Sequence, residues 1–135
     1  MKFVSTPDCA PPAGHYSQGV VHGGLVWVSG MLAVDPATGE RRLGTIEEQT
    51  RQALDNVDAV LRAAGSSRDR VLKCTCYISD IELWGRVNAV YAEFFGDHKP
   101  ARAVVPTREL HYGFLVEIEC VAAVNAVEET VGEGA

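Results

Sequence analysis

The sequence has no run approaching the roughly 18 consecutive apolar residues that a membrane-spanning helix needs, so a membrane partner is not expected. Its first segment, Met1 to Pro12, holds one lysine and no apolar core of a secretory leader, so the expected location is cytoplasmic. Basic charge is also scarce. Twelve Lys and Arg stand against 18 Asp and Glu, a formal net charge of −6. Binding to phosphate backbones needs a basic footprint, which speaks against nucleic acid as a partner. Three of the acids, Glu128, Glu129 and Glu133, fall in the last nine residues, and removing them takes −6 to −3. The four histidines (His15, His22, His98 and His111) show no H-x-x-x-H or H-E-x-x-H spacing, so no metal site is expected. There is no G-x-S-x-G elbow, phosphate loop or dinucleotide fingerprint. Cysteine is limited to Cys9, Cys74, Cys76 and Cys120. The C-x-C pair has no second pair to complete a metal site, and zinc spacings are usually longer. Free buried thiols are the preferred reading.

What remains is ordinary globular material. Of 135 residues, 47% are hydrophobic and 22% charged, which excludes disorder and fits one domain over residues 1–126 with an acidic flexible tail over 127–135. The three prolines between Pro7 and Gly14 read as an extended arm. His22-Gly23-Gly24 between Val20-Val21 and Leu25–Ser29 is a hairpin signal. Asp35 to Gly39 has turn chemistry. Thr45 and Glu48 form a capping box, followed by Ile46, Ala53, Leu54, Val57, Val60, Leu61 and Ala64 at helical spacing and Gly65 as the terminating residue. Val71 to Ile78 reads as a strand. Asp80 caps a second helix with Trp84, Val87, Tyr91, Phe94 and Phe95 on its apolar side. Ala101–Val105 and Phe114–Val124 read as strands. The expected order is β-β-α-β-α-β-β, an α+β domain with two helices on one face of a mixed sheet.

Alternation assigns faces. Phe114, Val116, Ile118, Cys120, Ala122 and Val124 share the helix-covered face. So do Leu72, Cys74, Cys76 and Ile78. The opposite face carries Leu115, Val121 and Ala123 beside Glu117 and Glu119, which is too apolar for open water. A partner subunit is the simplest cover.

Several residues admit both a chemical and a plain structural reading. Arg102, among small and apolar neighbours, either grips a planar anion such as a carboxylate or snorkels off an edge strand. Glu117 either orients a water and moves a proton or, like Glu119, faces solvent. Asn88 is a pocket group or a tolerated polar residue at a helix margin. Tyr16, within Gly14-His15-Tyr16-Ser17-Gln18, and Ser29-Gly30 belong to a ligand site or are simple turn chemistry.

Taken in order, these segments resemble the RidA (YjgF-type) family of enamine/imine deaminases. The matching segments are Gly14–Gln18, Val26–Gly30, Gln49-Thr50 with Asn56, Gly65, Val87-Asn88, Tyr91 with Phe94-Phe95, Pro100-Ala101-Arg102 and Val116–Glu119. They span about Pro12 to Val124. The resemblance implies a chorismate-mutase-like fold and a homotrimer around a barrel-like core, with active sites between subunits. It implies hydrolysis of reactive 2-imino and enamine acids to keto acids and ammonia, with no cofactor. By position, Arg102 holds the substrate carboxylate, Glu117 places or activates water, and Tyr16, Ser29, Gly30 and Asn88 line the site. Three residues depart from the family pattern at the expected pocket edge. Met31 stands where glutamine is common, Val104 where many deaminases have cysteine, and His111 where proline is usual. They keep two alternatives open. One is a regulatory trimer that binds a small carboxylate without turnover. The other is a deaminase of a larger enamine, of aminomuconate type or from secondary metabolism. A ribonuclease role is disfavoured by the acidic chain.

Overall fold

The computed structural model describes residues 1–124, so the tail expected over 127–135 lies outside the described residues. A six-stranded mixed sheet runs in the order β1-β2-β3-β6-β4-β5. Its strands are β1 (Lys2–Val4), β2 (Gly19–His22), β3 (Leu25–Met31), β4 (Val71–Ile78), β5 (Ala101–Pro106) and β6 (Val116–Ala123). Helices α1 (Ile46–Ala63) and α2 (Trp84–Phe95) pack on it. All pairings are antiparallel except β4 with β5, which α2 connects.

The local signals act as their chemistry requires. Gly23 and Gly24 both take positive φ (60° and 79°), as a two-residue type I′ hairpin demands. The Thr45 side chain accepts from the Glu48 backbone N–H at 3.2 Å and opens α1. At its other end Gly65 has φ 78°. The Ser66 N–H reaches the Leu61 carbonyl and the Gly65 N–H the Arg62 carbonyl, which is a Schellman closure. Ile46, Leu54, Val57, Val60 and Leu61 are fully buried against the sheet. Arg86 of α2 donates twice to Glu47 of α1, both at 2.7 Å, and clamps the helices together.

Four expectations need correction. Lys2–Val4 pairs with β2 as an additional strand; only Val4 is buried there, so the segment carries almost no pattern to read. Leu72 is half-exposed rather than in the core. The β4–β6 register slips between Val71 and Lys73, so Leu72 is an extra residue at a bulge, and Val71 enters the core instead. Trp84 lies at the exposed start of α2, whereas Val87, Tyr91 and Phe95 are buried. Asp80 caps the 3₁₀ turn Ile81–Leu83 that leads into α2, accepting from the Glu82 N–H at 2.9 Å.

The cysteines are all free and buried. Burial pushes the Cys9 thiol up to about 11 and the Cys76 thiol up to about 12, so both stay protonated near neutral pH. Cys74 and Cys120 face one another across β4 and β6 on the core side. Among the described residues no group of three or more His, Cys, Asp or Glu side chains is placed to hold a metal. None of the described helices is long and apolar enough to cross a membrane.

The other sheet face is open. Trp27 is 52% exposed on it, with Val20, Val121 and Ala123 alongside only partly buried. The pattern that called for a covering partner is therefore present as apolar surface.

Candidate active site

Where β3 meets β6, Val28 pairs with Cys120 and Met31 with Ile118, so Ser29 and Gly30 together face the single residue Glu119. This bulge breaks the alternation and brings the Gly30 backbone against the side chain of Glu117. A Cβ at position 30 would lie 2.7 Å from Glu117 Oε2 and 3.0 Å from Cδ. The glycine was expected to admit a ligand; what it admits is the catalytic candidate of its own chain. Gly30→Ala is therefore expected to drive the Glu117 carboxylate from its seat, with about a 10²-fold loss of turnover for a misplacement of this size. Steady-state kinetics together with a thermal melt would separate that loss from unfolding.

Glu117 is half-buried. Burial raises its pKa above the ordinary carboxylate range. Nearby His111 pulls the other way, and Glu119 adds a smaller upward push. It lines a cavity of about 550 Å³ together with Tyr16, Ser29, Gly30, Met31, His111 and Tyr112. The structure thus brings six of the expected site residues together: Tyr16, Ser29, Gly30, Met31, His111 and Glu117.

Much of this cavity's wall is held by hydrogen bonds from Gln18, Ser29 and Asn56. Gln18, almost fully buried, accepts from the Thr6 N–H at 2.7 Å and donates to the carbonyls of Thr6, Cys9 and Ala10. It pins the N-terminal arm over the site. Ser29 donates its hydroxyl to the Ser17 carbonyl at 2.6 Å, so this side chain fixes the segment carrying Tyr16. Buried Asn56 of α1 donates to the carbonyls of Leu32 and Val34. The available signal was a buried-type amide on an apolar helix face, which must find partners. On the far side Tyr112 has φ 59° and ψ 16°, a left-handed backbone that costs a bulky residue about 1–3 kcal/mol. The Arg41 guanidinium lies 3.6 Å from the centroid of its ring, and the ring meets Phe114 edge-on at 6.3 Å.

Arg102 and Asn88 lie elsewhere. Arg102 pairs in register with Cys74, and so sits on the helix side of edge strand β5, whereas Glu117 pairs with Tyr77 on the open side. Arg102 Nη1 donates to Asn88 Oδ1 at 2.8 Å. The guanidinium lies 4.8 Å from the Tyr91 ring centroid and 5.6 Å from that of Trp84. Arg102, Asn88 and Tyr91 line a second cavity of about 370 Å³ with Phe95, His98 and Lys99. Among the described residues no carboxylate lies within 4.0 Å of Arg102; the ion pairs engage Arg42, Arg62, Arg68 and Arg86. Its planar fork is oriented by Asn88 and the aromatic rings. Val104 lines neither cavity. It pairs with Cys76 and packs half-buried against the core. One chain therefore holds Arg102 and Asn88 apart from Glu117 and Tyr16.

Residues 7–124 match the family model described as Endoribonuclease L-PSP. A RutC family protein of Pyrococcus horikoshii is 44% identical over 123 residues, covering 90% of this chain and 98% of its own. Among solved structures, Escherichia coli TdcF with bound serine is 34% identical with a TM-score of 0.88, covering 93% of this chain and all of the other. YyfA of Yersinia pestis, described as a member of the conserved Rid protein family, is 39% identical with a TM-score of 0.88, covering 91% of this chain and 98% of its own.

Proposed function

This chain belongs to the RidA (YjgF, RutC) family, and from that premise we propose that it is an enamine/imine deaminase acting on 2-imino acids. The observation that carries the reading is the guanidinium of Arg102, pre-oriented by Asn88 and Tyr91 and without an acid partner among the described residues. Such a fork matches a carboxylate bidentately. The serine bound to TdcF has the α-carboxylate and α-nitrogen that this site is proposed to receive. The complete site forms between copies: Arg102 and Asn88 of one subunit meet Tyr16, Gly30 and Glu117 of the next in a homotrimer. The exposed apolar face around Trp27 supports such an assembly.

The chemistry then needs little else. The carboxylate of a protonated imine is held by Arg102, which turns water attack into an oriented step. Glu117 accepts a proton from water as the water oxygen bonds to the imine carbon. It returns that proton to the carbinolamine nitrogen, and as the C–N bond breaks it takes the hydroxyl proton and passes it to solvent. Keto acid and ammonia leave. Burial makes Glu117 a stronger base than a solvated glutamate, which suits this role.

The test generates imines from amino acids with an amino-acid oxidase and follows their decay with and without the protein. Accelerated decay with ammonia release is expected. Tight keto-acid binding without ammonia release would instead favour a carboxylate-binding regulatory trimer. The family model's description also prompts a nuclease assay. RNA cleavage that survives stringent purification and vanishes with Glu117→Gln would overturn the deaminase reading.

A further inference from the structure

We infer that Tyr112, braced by Arg41, is the wall that selects the substrate's side chain, and that the preferred imines carry a bulky apolar or aromatic group. This rests on the deaminase reading for the placement of the substrate, with its carboxylate toward Arg102 and its imine carbon at Glu117. On this chain's side of the shared site, the cavity runs on from Glu117 past Leu32 and Val34 to Tyr16 and Tyr112, and this stretch faces the substrate's side chain.

The character of that space follows from what its polar groups already do. The Gln18 amide is occupied by the N-terminal arm, the Asn56 amide by the Leu32 and Val34 carbonyls, and the Ser29 hydroxyl by Ser17. Glu119 accepts from the Tyr77 hydroxyl at 2.5 Å. That leaves the His111 imidazole beside Glu117, and the Tyr112 hydroxyl, as the polar groups without a protein partner among the described residues. The surfaces left are Ala10, Pro11, Leu32 and Val34, together with two aromatic rings, Tyr16 and Tyr112, each about half exposed. Concave apolar lining with a few convergent polar groups is how small-molecule sites recognise an apolar group.

Tyr112 is held in place rather than merely present. Its left-handed backbone sets the direction of the ring, buried Phe114 anchors the following turn, and the Arg41 guanidinium covers one ring face at 3.6 Å. Arg41 is itself fixed by the bridge between Val34 and Arg41, which closes the Asp35–Glu40 loop. It does not line the cavity, so it acts through Tyr112.

The test compares imines made from alanine, leucine and phenylalanine in the oxidase assay. It also compares the binding of pyruvate and phenylpyruvate by calorimetry, which needs no turnover. Wild-type protein should favour the phenylalanine-derived imine in kcat/KM by about tenfold or more, and bind phenylpyruvate more tightly than pyruvate. Tyr112→Gly removes the ring and keeps the backbone geometry, since glycine takes positive φ freely. It should reduce both preferences by about tenfold. Arg41→Ala should raise KM for the bulky imine more than for the alanine-derived one, a split that general destabilisation would not produce. Equal treatment of small and bulky substrates by the wild type, or preferences unmoved by Tyr112→Gly, would overturn the inference. If no imine decays faster, the deaminase reading fails, and the calorimetric preference still decides whether Tyr112 selects bulky groups.

Discussion

Arg102→Ala should lower kcat/KM for 2-imino acids by about 10²–10⁴-fold while the fold survives, because the guanidinium proposed to hold the substrate carboxylate is lost. The side chain is half-buried, its protein hydrogen bond goes to Asn88, and it has no acid partner among the described residues. Its removal therefore strands no buried carboxylate. Arg102→Lys should recover little, since an ammonium lacks the planar fork and the stacking on Tyr91 and Trp84. Kinetics with a substrate series, and a circular dichroism melt on the same samples, would check both halves. Unimpaired hydrolysis by Arg102→Ala would remove the anion site from the mechanism.

Glu117→Gln should reduce turnover by about 10²–10⁴-fold, the usual worth of a positioned proton-transfer group. Its stability should move the other way. The Glu117 pKa is raised in the fold by burial, so between the ordinary carboxylate range and that raised value the folded protein keeps a proton that the unfolded chain has released. Stability from this group is thus fully present at low pH and lost as pH rises through the raised pKa. Glutamine cannot ionise, so the variant should melt no lower than the wild type at neutral pH and show less decline through that window. Activity in the wild type follows the carboxylate form. It should fall as pH drops through the same raised pKa, sooner than for a solvated glutamate. Thermal melts and kcat profiles across the acidic range give the two signs independently.

The elements were legible in the sequence wherever a local rule and the tertiary demand coincide. The capping box at Thr45, the glycine after α1, the Gly-Gly hairpin and the alternation of β6 each specify one conformation. Legibility fails where the period breaks. The bulge at Leu72 shifts the parity of β4, and the Ser29-Gly30 bulge that seats Glu117 is invisible to a strict two-residue repeat. Strand β1 is too short and exposed to carry a pattern. The site residues were legible only one by one. Each of Arg102, Glu117 and Asn88 has an ordinary structural explanation in isolation; alternation puts Glu117 on the open face, but no spacing rule says that Arg102 and Asn88 lie on the other side of the sheet. Gln18 was noted within a motif but not as the residue that fastens the arm, because four partners drawn from backbone groups leave no mark in the sequence.

The separation of Arg102 from Glu117 within one chain makes the central claim directly measurable. Arg102→Ala and Glu117→Gln chains, each inactive alone, are unfolded together, refolded as mixed oligomers and assayed for imine hydrolysis. If the site takes Arg102 from one subunit and Glu117 from its neighbour, an equimolar mixture regains about one quarter of wild-type activity, because that share of interfaces receives both intact groups. A mixture as inactive as its parents would contradict a site shared between subunits.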